Sequence, residues 1–415
     1  MTGLSARILA GLVIGLLAGA ALGGSEAGNT VLLLAGPVGK LWLDALTMTV
    51  VPLVFSLLVT GIVSAAESAS GGRIAPRALL WFAVLLVGAC LVSALLTTLA
   101  LDFWPIPAGA QSLRPTGDEV PVIASGADWL ANIIPTNPLQ AAADSAMVPL
   151  VVFALVFGLA VSRIEPDLRT SVQSFFRAVV QAMLQIVHWV LLVAPLGVFA
   201  LAFTVGARTG LDAAGTLLQY VVLVVGACLT IAVLAYVLAA VLGRMSPIAF
   251  ARAALPAQVV AASTQSSLAS LPAMIEAADP LGVSREDAGI VLPLAVSIFK
   301  AASAAANITV AIYLAHLHGV PLGPGTLVTG ALVAAAVSVA AVGLPAQVSF
   351  FAIIGPVCLA MGVPIILLPL LLAIETIPDI FRTIGNVTAD LAVTRLAARR
   401  GMATSERPAA VTNVE

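Results

Sequence analysis

Charge is what this sequence has least of. Only 9% of its residues are charged, and among its 18 basic residues just two are lysines, Lys40 and Lys300. The net charge of -2 offers no basic surface, so nucleic-acid partners are not expected. Cysteine is scarce too: Cys90, Cys228 and Cys358 sit singly in apolar runs without a CxxC spacing, which excludes a disulfide framework and a cysteine metal site. Three histidines, His188, His316 and His318, have no nucleophile motif beside them, so a membrane-embedded hydrolase is not expected. No enzyme activity, cofactor or metal is expected.

What the chain has instead is hydrophobicity. Its residues are 61% hydrophobic and its mean hydropathy is +1.12, which places it among membrane proteins. The run ILAGLVIGLLAGAALGG after Arg7 has the look of a signal peptide, but further spans follow it, so it is read as a first transmembrane helix with nothing cleaved. With about 20 apolar residues needed per span, helices are expected near 5–24, 38–66, 78–103, 128–162, 172–205 and 215–243.

Beyond residue 248 the pattern changes: 249–277, 283–314, 324–364 and 365–398 are apolar runs interrupted by Pro, Gly and Ser. STQSSLASLP at 263–272 is a polar island between arms too short to span separately, and AAVGLPAQVS at 340–349 breaks a second run at Gly343 and Pro345. Irregular backbone at membrane depth survives only inside protein or along a cavity. Both segments are therefore read as re-entrant hairpins, the kind of pair that marks a transporter's binding site.

Arginine placement supplies the orientation. Arg73, Arg77, Arg163, Arg169, Arg244, Arg252, Arg285, Arg395, Arg399 and Arg400 fall on one side if the N terminus is cytoplasmic, while PTGDEV falls outside and Arg208 is the exception. Both termini are then cytoplasmic in a multi-pass protein of the inner (plasma) membrane. The tail 402–415 is polar and expected to be disordered.

Two features break the apolar rule. Lys300 stands well inside AVSIFKAASAAANITVAIYLA, where an ammonium costs about 2.5 to 3.5 kcal/mol on insertion scales and is too deep to snorkel. The run LLAIETIPDIFRTIGNVTAD carries Glu375, Asp379, Arg382, Asn386 and Asp390 at steps of 4, 3, 4 and 4, one stripe of an α-helix. Such a stripe faces protein or water and usually marks a substrate or ion path; a self-neutralising ion-pair ladder is the structural alternative. Arg382 can grip a carboxylate bidentately, Asp379 can accept from an α-ammonium, and Thr383 and Asn386 add neutral donors one turn on. An α-carboxylate would use hydroxyls and amides at the two hairpins.

The sequence resembles the dicarboxylate/amino acid:cation symporters, the glutamate transporter family. The likeness is carried in order by VVPLVFSLLVTGI, IIPTNPLQA, STQSSLASLP, GVSREDAGIVLPLAVSI, VGLP and DIFRTIGNVTAD. It implies an all-α polytopic fold of eight transmembrane helices plus two re-entrant hairpins, a homotrimer, and an elevator motion of a transport domain past a scaffold. On that pattern 1–77 and 128–214 are scaffold, while 78–127 and 215–401 are transport domain. It also implies Asp379 as the amino-group ligand and Arg382 as the side-chain carboxylate ligand, with Thr383, Asn386, Ser266, Ser267, Ser303 and the second-hairpin residues Gly343, Leu344 and Pro345 around the substrate. Having both charges points to aspartate or glutamate; a C4-dicarboxylate carrier and an anion-conducting member of the same fold are the alternatives. Phe381 stands where relatives usually carry a small residue.

The departure lies at Lys300. Sodium-coupled members carry Asn-Met-Asp-Gly-Thr where this chain has Phe299, Lys300, Ala301, Ala302 and Ser303, and their polar positions on helix three become Phe82, Leu85 and Leu86. Hard cations need oxygen ligands, and both helices have lost them. Asp390, which looks like a further sodium ligand, keeps no partners. Lys300 is therefore expected to act as a tethered cation beside Asp390 and Glu375, making transport sodium-independent and leaving proton coupling, exchange and uniport open.

Overall fold

The computed structural model describes residues 2–69, 74–107, 133–210, 212–339 and 346–405, all as helices and their connections. Among the described residues there is no strand. The helices are α1 (Thr2–Leu22), α2 (Glu26–Thr47), α3 (Val50–Ala69), α4 (Ile74–Phe103), α5 (Pro138–Ala143), α6 (Met147–Val161), α7 (Pro166–Leu192), α8 (Ala194–Thr209), α9 (Asp212–Val241), α10 (Pro247–Thr264), α11 (Ser267–Glu276), α12 (Arg285–Ile298), α13 (Ala301–His318), α14 (Pro324–Val339), α15 (Ala346–Ala360), α16 (Leu368–Leu372) and α17 (Thr376–Ser405). Five helical stretches among them are long and apolar enough to cross a membrane, the longest being Glu26–Glu67 and Arg285–His318.

Helix positions from hydropathy hold for 5–24, 78–103 and 215–243, but several long runs are broken where composition gives little sign. The expected helix 38–66 is two helices. Ser25 accepts from the Gly28 amide at 2.9 Å and so starts α2 twelve residues early, Pro37 does not end it, and the chain turns at Met48 and Thr49. Within 128–162 the described part is interrupted between α5 and α6, where Ser145 has a φ of 54°. The run 172–205 breaks at Val193, just ahead of Pro195 in the first turn of α8. At the C-terminal end α17 continues to Ser405, past the expected start of the disordered tail at 402; residues 406–415 lie outside the described residues.

Close backbone approach explains the glycines of the first run. Gly11, Gly15 and Gly19 recur every fourth residue, and a Cβ at each would lie 2.5, 2.6 and 2.3 Å from the carbonyl oxygens of Pro195, Phe199 and Phe203 on α8. Helices without side-chain bulk between them can pack where no hydrophobic force drives association. Helix α1 lies along α8, α2 also packs on α8, and α3 packs on α6 and α7.

The remaining helices form a second packing group around α17, which contacts α9, α10, α12, α13 and α4. Helix α13 is buried along nearly its whole length. Its small Ala-rich face lets α4 approach closely, where Ser93 and Thr97 bond to the Thr309 hydroxyl at 2.8 and 3.0 Å. Outward faces stay apolar, with Leu80, Val84 and Leu95 on α4 and Leu218, Leu229 and Val233 on α9 exposed, as a bilayer requires. One end of this group is tied by arginines: Arg77 donates to Ala397 O at 2.8 Å, and Arg395 to Gly243 O and Gly282 O at 3.3 and 3.1 Å. The start of α4, the end of α9, the approach to α12 and the end of α17 therefore share one face.

Both interrupted runs fold back. Helices α10 and α11 pack on each other across Gln265, which takes a left-handed φ of 53°, and Ser266, whose hydroxyl accepts from Ala269 N. Helices α14 and α15 pack likewise. Residues 340–345 between them, including the expected site residues Gly343, Leu344 and Pro345, lie outside the described residues.

Candidate functional site

The expected helix 283–314 is not continuous. It stops at Phe299 and restarts at Ala301, with Lys300 at the N-cap position of α13 in a non-helical conformation, φ -114° and ψ 66°. A lysine has no acceptor to offer the exposed amides of a helix start. That work is done by α17: Asn386 Oδ1 accepts from Ala302 N at 3.0 Å and Ser303 N at 3.2 Å, while its Nδ2 donates to Ser303 Oγ at 2.8 Å. The approach is possible because residue 385 is glycine. A Cβ there would stand 2.6 Å from that of Ala302 and 3.0 Å from Cys228 O.

The expected helix 365–398 is also broken, at Ala373–Glu375, so Glu375 sits in the turn that leads into α17 rather than on it. Of the expected stripe, Asp379, Arg382, Asn386 and Asp390 are buried on α17, with Thr383 buried among them, while Glu375 lies ahead of the helix. Arg382 donates from Nη2 to Glu375 Oε1 and reaches Asp379 Oδ1 from Nη1 at 3.5 Å. Thr383 bonds back to Asp379 O at 2.8 Å. Tyr220 on α9 completes the cluster, its hydroxyl donating to Glu375 Oε2 at 2.7 Å. Sequence reasoning missed Tyr220; its one visible signal was a tyrosine, among three in the chain, inside an otherwise apolar span.

Lys300 is electrostatically coupled to Asp390, Asp379 and Arg382. Asp390 is 0% exposed, among the described residues neither of its oxygens has a hydrogen-bond partner, and Lys300 is the charge that acts on it. A buried carboxylate without hydrogen bonds depends on a nearby opposite charge for its ionised form.

On the other side of the break the surroundings are hydrocarbon. Phe299 stacks on Phe82 of α4, ring centroids 4.9 Å apart and planes 13° apart, and the two rings are 1% and 2% exposed. Leu86 is buried beside them. Leu85, Ala89, Ile231, Phe299 and Ala301 line an apolar cavity of about 220 Å³. The residues that stand at the resemblance's sodium positions thus bring rings and methyl groups together.

Ser266 and Ser267 are placed at the α10–α11 turn, Ser266 capping α11. No hydrogen bond joins either of them to the described residues of α17. Hairpin and helix are linked lower down, by Gln258 Nε2 donating to Thr388 Oγ1 at 2.8 Å. Phe381 lies half-buried against the core.

A family model described as the sodium:dicarboxylate symporter family matches residues 4–400. The chain is similar to the proton/glutamate-aspartate symporter of Escherichia coli (strain K12), 27% identical over 405 residues that cover 94% of this chain and 92% of that protein. It is 31% identical over 428 residues to the neutral amino acid transporter B(0) of Oryctolagus cuniculus, covering 92% and 76%. With C4-dicarboxylate transport protein 1 of Pseudomonas aeruginosa it shares 28% over 406 residues, covering 95% and 87%.

Proposed function

The chain belongs to the sodium:dicarboxylate symporter family, and from that premise we propose that it carries aspartate or glutamate across the membrane without sodium. It is a multi-pass membrane protein of a family of secondary transporters, not an enzyme. The observation that carries the substrate reading is the buried pair Asp379 and Arg382 on successive turns of α17. Asp379 receives the α-ammonium, Arg382 grips the side-chain carboxylate, and Thr383, Asn386, Ser303, Ser266, Ser267 and the second hairpin at Gly343, Leu344 and Pro345 surround the rest. The name of the Escherichia coli relative, which includes glutamate and aspartate, supports the same class. A C4-dicarboxylate, the cargo named for other relatives, would leave Asp379 without an ammonium to meet.

Sodium independence is supported by the Phe82–Phe299 stack and the apolar cavity beside Ala301, which put hydrocarbon where oxygen ligands are needed. Lys300 supplies a tethered positive charge for Asp390 in place of an ion. The two packing groups support division into a scaffold, 1–77 and 128–214, and a transport domain, 78–127 and 215–401, that moves as an elevator within a homotrimer. The shared face of Arg77, Arg395, Gly243 and Gly282 supports cytoplasmic termini.

The test is uptake of radiolabelled aspartate and glutamate by the purified protein in liposomes, under a sodium gradient, a proton gradient, or neither. Uptake indifferent to sodium is expected. Uptake that requires a sodium gradient would overturn the reading of Lys300, and competition by succinate at concentrations similar to aspartate would favour the dicarboxylate alternative.

A further inference from the structure

The apolar cavity beside Ala301 opens on one side. Small buried side chains make its floor: Ala89 of α4, Ala235 of α9, Ala301 of α13 and Ala389 of α17, together with the Phe299 ring. Its rim is Leu85 and Gly88 of α4 and Leu234 and Leu238 of α9, all half-buried, with Val237, which is 48% exposed. A Cβ at Gly88 would meet no atom within 4 Å, so open space adjoins the backbone there. Val84, Leu91 and Val233, exposed on the same two helices, face the bilayer.

What can fill the cavity follows from its lining. Among the described residues no polar side chain lines it, and a buried water needs roughly two to four polar partners. At about 220 Å³ it exceeds the roughly 150 Å³ of an apolar cavity that stays dry and takes up benzene. The occupant is therefore hydrocarbon, which restores the dispersion attraction that a lining forgoes across a gap. A bilayer presents acyl chains at this rim at the density of a liquid. The two rim helices also trace the rest of a lipid. On α4, Arg77, Trp81, Leu85 and Gly88 follow at steps of 4, 4 and 3, one stripe that leads from the rim past a tryptophan, a residue of membrane boundaries, to a guanidinium. On α9, Leu234, Leu238 and Val241 run to the end of the helix, and exposed Arg244 follows. Arg77 and Arg244 share one face of the protein, because Arg77 donates to Ala397 O and its neighbour on α17, Arg395, to Gly243 O. Leu85 stands about 12 Å along α4 from Arg77, within the roughly 15 Å of hydrocarbon in one leaflet.

We propose that the cavity is a phospholipid site. One acyl chain enters between α4 and α9 from the leaflet on the Arg77 and Arg244 side, its far half lies against Phe299, Ala301 and Ala389, and its phosphate meets the two arginines. The chain completes the hydrocarbon wall behind the α12–α13 break, since Ala301 opens α13 and Ala389 adjoins Asp390. Water is thereby kept from Lys300 and Asp390 on that side. The site does not depend on which amino acid is carried.

The test reconstitutes the full-length protein with phosphatidylglycerol that carries bromine near mid-chain and images it by cryo-electron microscopy. Bromine density is expected in the cavity beside Phe299 in wild type and in Gly88→Ala, and not in Gly88→Leu, whose side chain takes the space. Thermal unfolding in detergent gives a second reading, because a ligand of the folded state stabilises it as its concentration rises. Wild type and Gly88→Ala are expected to gain stability with added long-chain phosphatidylglycerol. Gly88→Leu is expected to start higher than Gly88→Ala and to gain nothing, a comparison in which both variants lack the glycine. Arg244→Gln is expected to need about fivefold more lipid for the same gain, and an unshifted response would overturn the placement of the phosphate. A lipid response of Gly88→Leu equal to that of wild type overturns the site. So does a wild-type cavity without bromine density, or one that takes up a brominated alkane but not the brominated lipid, and these wild-type results decide even if a variant fails to fold.

Discussion

The ring of Phe82 on α4 lies flat on that of Phe299 at the α12–α13 break, centroids 4.9 Å apart, so two residues distant in sequence together place buried rings next to Lys300. Phe299→Ala is expected to destabilise the protein by about 3 to 5 kcal/mol through loss of buried contacts, without creating sodium dependence. Thermal unfolding in detergent and sodium-jump uptake measure the two effects. A sodium-dependent Phe299→Ala would mean that oxygen ligands lie closer than the structure places them.

Lys300 at the break is the charge that acts on the buried Asp390, without a direct ion pair between them among the described residues. Lys300→Met leaves Asp390 buried without a counter-charge and is expected to cost stability that Asp390→Asn gives back. A double-mutant cycle should show coupling of about 0.5 to 3 kcal/mol. Strict additivity would argue against a tethered cation.

Arg382 is held from two sides by acids. Arg382→Ala removes both the proposed carboxylate clamp and the partner of a buried Glu375, and breaking a buried pair costs about 3 to 5 kcal/mol of stability. Aspartate affinity is expected to fall by about tenfold to a hundredfold, the worth of about 1.5 to 3 kcal/mol of charge-assisted hydrogen bonding, and Arg382→Lys to recover little of it because an ammonium cannot form the fork. Binding isotherms decide; an Arg382→Ala protein with near-native affinity would move the carboxylate site elsewhere.

Asp379→Ala removes the acceptor assigned to the α-ammonium. Its selectivity is expected to shift toward succinate over aspartate, read as the ratio of inhibition constants in competition uptake. An unchanged ratio would mean that the amino group is recognised elsewhere.

Asn386 caps α13 from another helix. Asn386→Ala is expected to cost about 0.5 to 2 kcal/mol of stability, the range for losing an N-cap. Asn386→Asp, which keeps the acceptor, should recover most of it in the same thermal assay.

Much of this site was legible along the chain. Asp379, Arg382, Asn386 and Asp390 share a face because the helical period is local, and the apolar character of Phe82, Phe299 and Ala301 is visible in their identities. Less legible were the breaks. Hydropathy averages over a window, so it merged α2 with α3, α7 with α8, and α12 with α13, where a single cap, turn or unwound pair of residues separates apolar helices. Tyr220 escaped notice because its partner Glu375 lies 155 residues away.

The sequence by itself determined that this is an all-helical membrane protein, that its last helix carries a charged stripe, and that Lys300 stands in an apolar run, because composition and helical period follow from residue order alone. Only the tertiary structure decided that Lys300 sits at an unwound helix start capped by Asn386 of α17, that Phe82 lies on Phe299, and that Glu375 and Tyr220 take up the Arg382 fork. Those relationships depend on how distant helices pack, and packing is set by small residues such as Gly385 and Ala302 whose role appears only once their neighbours are in place.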